Sequence, residues 1–234
     1  MEVEIAVSKI KKYATSNSGD TVEVVERPRG GVSVVMADGQ SSGRGAKWIS
    51  TMVVRKVIAL LAEGVRDGAA ARAASDSLYT ERNGKVSATL NILSVDGDTN
   101  TLVITRNNSA PVLVYQNNSL KIIDEESVPV GFYPGTRPNI IEIPLETGLV
   151  VVIYTDGLVY AGSRSGRKMQ VASVLLDIFR DDLPGSQVIS DKLLEHALVL
   201  DHGRPVDDIS IVVLQVRGNE NDMIRRMNVR LPLK

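Results

Sequence analysis

The chain has 234 residues, of which 27 are basic and 28 acidic, giving a formal net charge of −1. Hydrophobic residues make up 43% and charged residues 24%, which excludes a disordered or low-complexity chain. The near-zero charge disfavours nucleic acid and anionic membranes as partners. Cysteine is absent, which excludes disulfides and fits a reducing, cytoplasmic compartment. With only two histidines, any metal would be held mainly by carboxylate and backbone oxygens, which suit magnesium, manganese or calcium.

Hydrophobic periodicity predicts the following elements in chain order. Two β-rich runs in 21–36 flank the turn at 28–31, so they predict a hairpin. Helical spacing follows over 43–63 and 67–81, and short strands are predicted at 86–95, 101–105, 111–115, 120–123, 140–143 and 149–154. The last elements are helices at 169–179 and 188–200 and a strand at 209–216. Hairpin-length connections favour antiparallel sheets with helices packed outside, an α+β class.

The sequence predicts no targeting segment and no membrane-spanning segment. Residues 1–12 alternate apolar and charged side chains and lack the apolar stretch of a signal peptide. The longest apolar run, at 149–154, is far below the ~18 residues that a membrane helix needs. We therefore expect a cytoplasmic protein without a membrane partner.

Aspartates stand where several predicted strands begin or end. Asp38 and Asp156 each follow an apolar strand, and each precedes a glycine and then a helix or a longer loop rather than a tight hairpin. Asp20 stands just before the strand that starts the hairpin, and Asp207 precedes the last strand. The hairpin brings Asp20 beside Asp38, and similar placement of the other two would crowd four carboxylates at one edge. Such crowding is costly unless cations neutralise it, so the pattern predicts a divalent-metal site, to which Gly39 could offer its backbone carbonyl.

Six short motifs in this order resemble those of the PPM family of metal-dependent protein phosphatases, over about residues 19–216. The motifs are Gly19-Asp20, Ala37-Asp38-Gly39 with Ser42-Gly43, Ser87-Ala88-Thr89-Leu90, Val128-Pro129-Val130-Gly131, Tyr154-Thr155-Asp156-Gly157-Leu158 and Asp207-Asp208-Ile209-Ser210. The chain is most similar to the bacterial SpoIIE-like branch, and its small size resembles the RsbX-type stressosome phosphatases. The resemblance implies an antiparallel β-sandwich flanked by helices.

The same resemblance implies a site and a reaction. Asp38 would bridge two Mn²⁺ or Mg²⁺ ions, with Asp20 and the Gly39 carbonyl completing one ion, and Asp156 and Asp207 holding the other. These residues would act catalytically through a metal-bridging water that hydrolyses phosphoserine or phosphothreonine directly. Asp208 would support the turn or the outer shell. The implied partners are phosphorylated STAS-domain proteins of a stressosome in bacterial stress signalling.

Two alternatives to this function remain open at the level of sequence. The segment 39–43 matches the G-x-S-x-G pattern of a serine hydrolase, with Ser41 as nucleophile and Asp156 and His202 completing a triad. The other alternative is a catalytically inactive binding module on the PPM fold. In either case we expect one domain over 1–217 and a polar, basic C-terminal tail over 218–234, for which a frayed terminus is the simplest expectation.

Overall fold

The structure, a computed structural model, describes residues 1–218 and 223–232, and its strands form two five-stranded sheets. Sheet 1 consists of β1 (Glu2–Ile10), β6 (Val112–Gln116), β7 (Ser119–Ile123), β9 (Val150–Tyr154) and β10 (Ile209–Arg217). Sheet 2 consists of β2 (Asp20–Glu26), β3 (Val32–Gly39), β4 (Ala88–Asp96), β5 (Thr101–Asn107) and β8 (Asn139–Pro144). The spatial orders are β1-β10-β9-β6-β7 and β2-β3-β4-β5-β8, and all of these neighbours pair antiparallel.

Helices cover the outer face of each sheet. The helices α1 (Gly43–Ala62) and α2 (Asp67–Arg82) pack on sheet 2, while α4 (Val171–Ile178) and α5 (Ser186–Leu200) pack on sheet 1. The short helix α3 (Asp156–Tyr160) and a 3₁₀ turn at Ser163–Ser165 follow β9 directly. The resulting layer order is helix, sheet, sheet, helix.

Alternation along the strands divides the apolar side chains among three layers. On β3, Val34 and Met36 face sheet 1, whereas Val35 and Ala37 face α1 and α2. Successive strand residues point to opposite faces, so a strand that is buried on both sides is apolar throughout. β9 and β10 are such strands, and they lie in the middle of sheet 1. The residues next to the ends of β9 and β10 are therefore held in fixed positions.

The predicted α+β class and the helix-flanked antiparallel sandwich are confirmed. Two elements were missed: β1, whose partner β10 lies at the far end of the sequence, and α3, which starts at Asp156 where a loop was predicted. β10 ends at Arg217, next to the predicted domain boundary, and residues 223–232 contain no helix or strand; the division into domain and tail stays a prediction. In the part of the chain that the structure describes, no helix has both the length and the apolar character to cross a membrane.

Candidate metal centre

The β2–β3 hairpin places Asp20 and Asp38 directly opposite each other. Asp20 is the first residue of β2, and the register pairs it with Asp38, one residue from the end of β3. Directly opposed residues of antiparallel strands have Cβ atoms about 5 Å apart, so the two side chains are neighbours. The sequence-based expectation for this pair is confirmed.

Sheet 1 supplies the other two aspartates from the ends of its two central strands. Asp156 begins α3 immediately after β9, and Asp207 lies two residues before β10. Because β9 and β10 pair antiparallel, with Tyr154 opposite Ile211, the end of one and the start of the other lie at the same edge. Asp156 and Asp207 therefore face Asp20 and Asp38 from the other sheet.

A cavity of about 490 Å³ opens where these strand ends meet. Its walls include Asp38, Gly39, Asp156 and Asp207. Asp20 is fully buried and does not line the cavity, so it lies behind Asp38. Four of the five residues predicted for the metal site thus line one cavity, and the fifth, Asp20, is buried behind Asp38.

The Asp20 carboxylate connects the two sheets. Its Oδ2 accepts hydrogen bonds from the hydroxyls of Ser210 on β10, at 2.6 Å, and of Thr155 at the end of β9, at 3.1 Å. Its Oδ1 is buried and accepts none. A buried carboxylate oxygen without a donor is costly, so Oδ1 is suited to receive a cation.

The aspartates disfavour one another's ionised forms. Burial, followed by the charges of Asp20, Asp156 and Asp207, raises the pKa of Asp38 to about 9. Burial also raises the pKa of Asp156, with Asp207 and Asp20 adding to the effect. The pKa of Asp20 is raised chiefly by burial, although the Ser210 hydrogen bond opposes that rise. Without a cation, this group of carboxylates retains protons that isolated aspartates would lose.

The donor set fits a hard divalent cation. Carboxylate and carbonyl oxygens are what magnesium and manganese prefer, and Asp20 Oδ1 is an acceptor without a donor. Gly39 lies against α1 so closely that a Cβ would stand 2.0 Å from the carbonyl oxygen of Ala46, and only glycine fits there. Among the described residues, no three acidic or histidine side chains converge closely enough to hold one ion, so the aspartates surround the cavity without meeting at a point.

Asp208 holds the turns next to the cavity in place. Its Oδ1 accepts the backbone N–H of Lys12 at 2.8 Å, and its Oδ2 accepts that of Gly19 at 2.7 Å. Asp208 is buried, and both of its oxygens are used by these amides. The expectation that it supports the turn is confirmed.

Comparison with known proteins identifies the family. The family profile of Stage II sporulation protein E (SpoIIE) matches residues 28–217. The chain belongs to the SpoIIE family. Stage II sporulation protein E of Bacillus subtilis (strain 168) is 18% identical over 204 residues, which are 86% of this chain and 24% of that protein. The chain therefore spans about a quarter of the length of this relative.

Two solved structures show that the SpoIIE family fold seen here is that of PP2C (PPM) phosphatases. The PP2C phosphatase domain of SpoIIE from Bacillus subtilis, with a fragment of its regulatory domain, superposes with a TM-score of 0.79 at 17% identity, covering 94% of this chain and 64% of the other. RsbX in complex with magnesium superposes with a TM-score of 0.69 at 16% identity, covering 91% and 94%. The predicted resemblance to SpoIIE-like and RsbX-type proteins is confirmed.

Lysines around the site of this SpoIIE family chain were not foreseen from its sequence. Lys9 on β1 and Lys47 on α1 both donate to the backbone carbonyl of Asp20, Lys47 at 2.8 Å. Burial, together with the neighbouring Lys47, lowers the pKa of Lys9. Lys12 lines the cavity, 3.9 Å from Asp207. The alternation of residues 2–10 could have predicted β1, but no local signal showed that it runs beside β10.

The serine-hydrolase alternative is wrong for this SpoIIE family fold. A nucleophile elbow belongs to parallel βα units, whereas the paired strands of the described residues run antiparallel. Ser41 does line the cavity, but His202 does not, so the proposed triad is not assembled around it. The G-x-S-x-G match is a turn in which Ser41 adopts φ of 84°.

Proposed function

We propose that this chain is a metal-dependent protein serine/threonine phosphatase. The observation that carries the proposal is that three aspartates from the ends of two sheets, Asp38, Asp156 and Asp207, line one cavity, while Asp20 is buried and its Oδ1 has no donor. A structural role alone does not account for this arrangement, because the carboxylates raise one another's pKa values. The PP2C fold supports the same reading, and so does the magnesium held by RsbX.

The residues divide into two proposed sets of ligands. Asp38, the Gly39 carbonyl and Asp20 would hold one Mn²⁺ or Mg²⁺ ion, and Asp156 and Asp207 the other, with Asp38 shared. Two such cations, when bound, supply a water of lowered pKa as nucleophile and neutralise charge on the phosphoryl oxygens.

The protein itself contributes orientation and charge. Thr155 and Ser210 fix the Asp20 carboxylate through Oδ2 and leave Oδ1 free. Lys12 places an ammonium group in the wall of the cavity, where it can attract a phosphate monoester. Lys9 and Lys47 hold the Asp20 backbone from the other side.

The test is hydrolysis of para-nitrophenyl phosphate and of a phosphoserine peptide, with and without manganese, by the wild type and by Asp38→Asn. The exposed Asp98→Asn is the matched control, because its carboxylate lies on a surface turn away from the cavity. We expect manganese-dependent hydrolysis that Asp38→Asn abolishes and Asp98→Asn retains. Manganese binding, followed by calorimetry, should weaken in the first variant only.

Two results would contradict the proposal. An Asp38→Asn protein that is fully active and binds manganese normally would show that the aspartates are not the site. A wild type that neither binds manganese nor hydrolyses either substrate would favour the non-catalytic binding module on the same fold.

We further infer that the physiological substrates are phosphorylated STAS-domain proteins of a stressosome in the bacterial cytoplasm. The similarity to RsbX and to SpoIIE supports this substrate class, and the absence of cysteine fits the compartment. The experiment compares dephosphorylation of a phosphorylated STAS-domain protein with that of phosphocasein. Equal rate constants for the two would contradict the assignment.

A further inference from the structure

Basic side chains cluster on three connected loops, two of which contribute Lys12 and Asp207 to the lining of the cavity. Residues 11–19 carry Lys12, residues 162–170 carry Arg164, and residues 201–208 carry Arg204. Arg167 and Lys168 follow Arg164 in the same loop and are exposed. We call Lys12, Arg164, Arg167, Lys168 and Arg204 the basic rim. It contrasts with the net charge of the whole chain, which is −1.

The three loops are fastened to one another by hydrogen bonds. Asp201 is 7% exposed, and its Oδ1 accepts the Gly162 amide at 2.8 Å while its Oδ2 accepts the Val206 amide at 3.1 Å. Arg164 and Arg204 each lie two residues from one of these amides. The amide of Tyr13, next to Lys12, donates to the Pro205 carbonyl at 3.0 Å. The basic rim is therefore presented by a fixed surface.

The side chains of the rim also meet across the loops. Arg164 Nη1 donates to the Arg204 carbonyl at 3.5 Å, and the Arg204 guanidinium lies 5.2 Å from the centre of the Tyr13 ring. Lys168 lies 5.0 Å from the ring of Tyr160. Stacking on an aromatic ring holds a cation in place without neutralising it. The cationic groups of Arg204 and Lys168 are thus held in place and can still bind an anionic group.

Acidic partners for the rim are scarce in the described part of the chain. Lys12 pairs with Asp207 at 3.9 Å, but Arg164, Arg167, Lys168 and Arg204 form no ion pair with any described residue. Asp201 is buried, and each of its two carboxylate oxygens accepts a hydrogen bond from a backbone amide. Four of the five cations of the basic rim are therefore exposed and have no ion-pair partner among the described residues.

The opposite wall of the cavity has a different character. It is lined by uncharged residues next to strands of sheet 2, including Gln40, Ser41, Ser87 and Pro129. Phe132, close to Pro129 in sequence, is 45% exposed. A chain that crosses the cavity would therefore meet the five cations of the basic rim on one side, and on the other side only Arg44 and Lys85, which are exposed two residues from the lining serines Ser42 and Ser87.

We propose that the basic rim binds an acidic stretch of the phosphoprotein substrate on one side of the phosphorylated residue. The proposal rests on the phosphatase function proposed above and names a substrate feature that this function alone does not require. Complementary charge beside a reactive site raises the encounter rate and fixes the direction in which a flexible segment binds. The wall next to sheet 2 has fewer cations beside it and gives a weaker attraction.

The experiment uses two phosphoserine peptides that differ only in a run of Glu or of Gln on one side of the phosphoserine. For the wild type with manganese at low salt, we expect kcat/KM to be about tenfold higher for the Glu peptide, declining as salt screens the attraction. Arg164→Gln combined with Arg204→Gln should remove this preference and leave hydrolysis of para-nitrophenyl phosphate unchanged. Lys12 is left unsubstituted in this variant because it lines the cavity. The matched control is Arg55→Gln with Lys56→Gln, two exposed cations on α1, which should retain the preference.

A binding measurement separates failure of this proposal from failure of the phosphatase function. Fluorescence anisotropy of the labelled peptides with metal-free protein needs no turnover, and the Glu peptide should bind more tightly to the wild type and to the control than to the Arg164/Arg204 variant. Equal affinity for both peptides would overturn the proposal, whether or not the protein hydrolyses phosphate esters. So would binding to phosphatidylglycerol vesicles that depends on the same two arginines without any preference between the peptides, because the surface would then serve a membrane.

Discussion

The metal-free protein should lose stability with rising pH because of Asp38. Its pKa of about 9 in the folded protein exceeds the ordinary value of 3.8, so the folded protein retains a proton that the unfolded chain releases. A raised acid pKa contributes stability that is complete below 3.8 and is lost as pH rises through about 9. One proton corresponds to about 1.4 kcal/mol per pH unit, and hence to about 2.7 kcal/mol between pH 5.5 and 7.5.

Asp38→Asn isolates this contribution because asparagine does not titrate. Urea unfolding in the presence of EDTA, at pH 5.5, 6.5 and 7.5, gives the free energy of unfolding of both proteins. We expect the free energy of unfolding of Asp38→Asn, relative to that of the wild type, to rise by about 1.4 kcal/mol for each pH unit. The free energy of unfolding of the exposed Asp98→Asn should change with pH as that of the wild type does. Parallel curves for the wild type and Asp38→Asn would refute the conclusion that burial and the neighbouring aspartates raise the pKa of Asp38.

Three other predictions follow from the same region. Gly157→Ala would place a Cβ 2.0 Å from the Asp208 carbonyl oxygen and should cost about 1 to 3 kcal/mol in urea unfolding, whereas Gly45→Ala, with no atom within 4 Å, should cost nothing. Asp208→Ala should lower the free energy of unfolding by about 1 to 3 kcal/mol and speed hydrogen exchange at the amides of Lys12 and Gly19, and unchanged exchange there would contradict its anchoring role. Manganese affinity should rise from pH 6 to 8 with release of protons, seen as buffer-dependent heats in calorimetry; heats that do not depend on the buffer would exclude proton release.

The sequence contained enough local information to predict the hairpin and the pairing within it. The turn at 28–31 fixes the register of β2 and β3, and register alone places Asp20 opposite Asp38. The Asp-Gly pairs at the ends of β3 and β9 marked Asp38 and Asp156, which both line the cavity. These predictions succeeded because each depends on neighbours in sequence or on one turn.

Contacts between distant segments could not be predicted in this way. β1 pairs with β10 across most of the chain, so neither its place in sheet 1 nor the approach of Lys9 to Asp20 leaves a local pattern. Asp201, which follows the last residue of α5, was not singled out from the sequence, because it gains its role only when the Gly162 turn folds back onto it. The approach of Asp207 to Asp156 also depends on such a contact, the pairing of β9 with β10, whereas the pairing of Asp20 with Asp38 depends on one local turn.

The position of β10 has a consequence for the order in which the protein assembles. β10 comes late in the sequence but lies between β1 and β9 in the middle of sheet 1, while every strand of sheet 2 precedes β9 in the chain. During synthesis, sheet 2 with α1 and α2 can therefore form around Asp20 and Asp38 well before Asp207 emerges. Contacts between residues far apart in sequence form slowly, so insertion of β10 is expected to be the late step. The part of the site that contains Asp20 and Asp38 is then built first, and Asp207 joins it only when β10 pairs with β1 and β9.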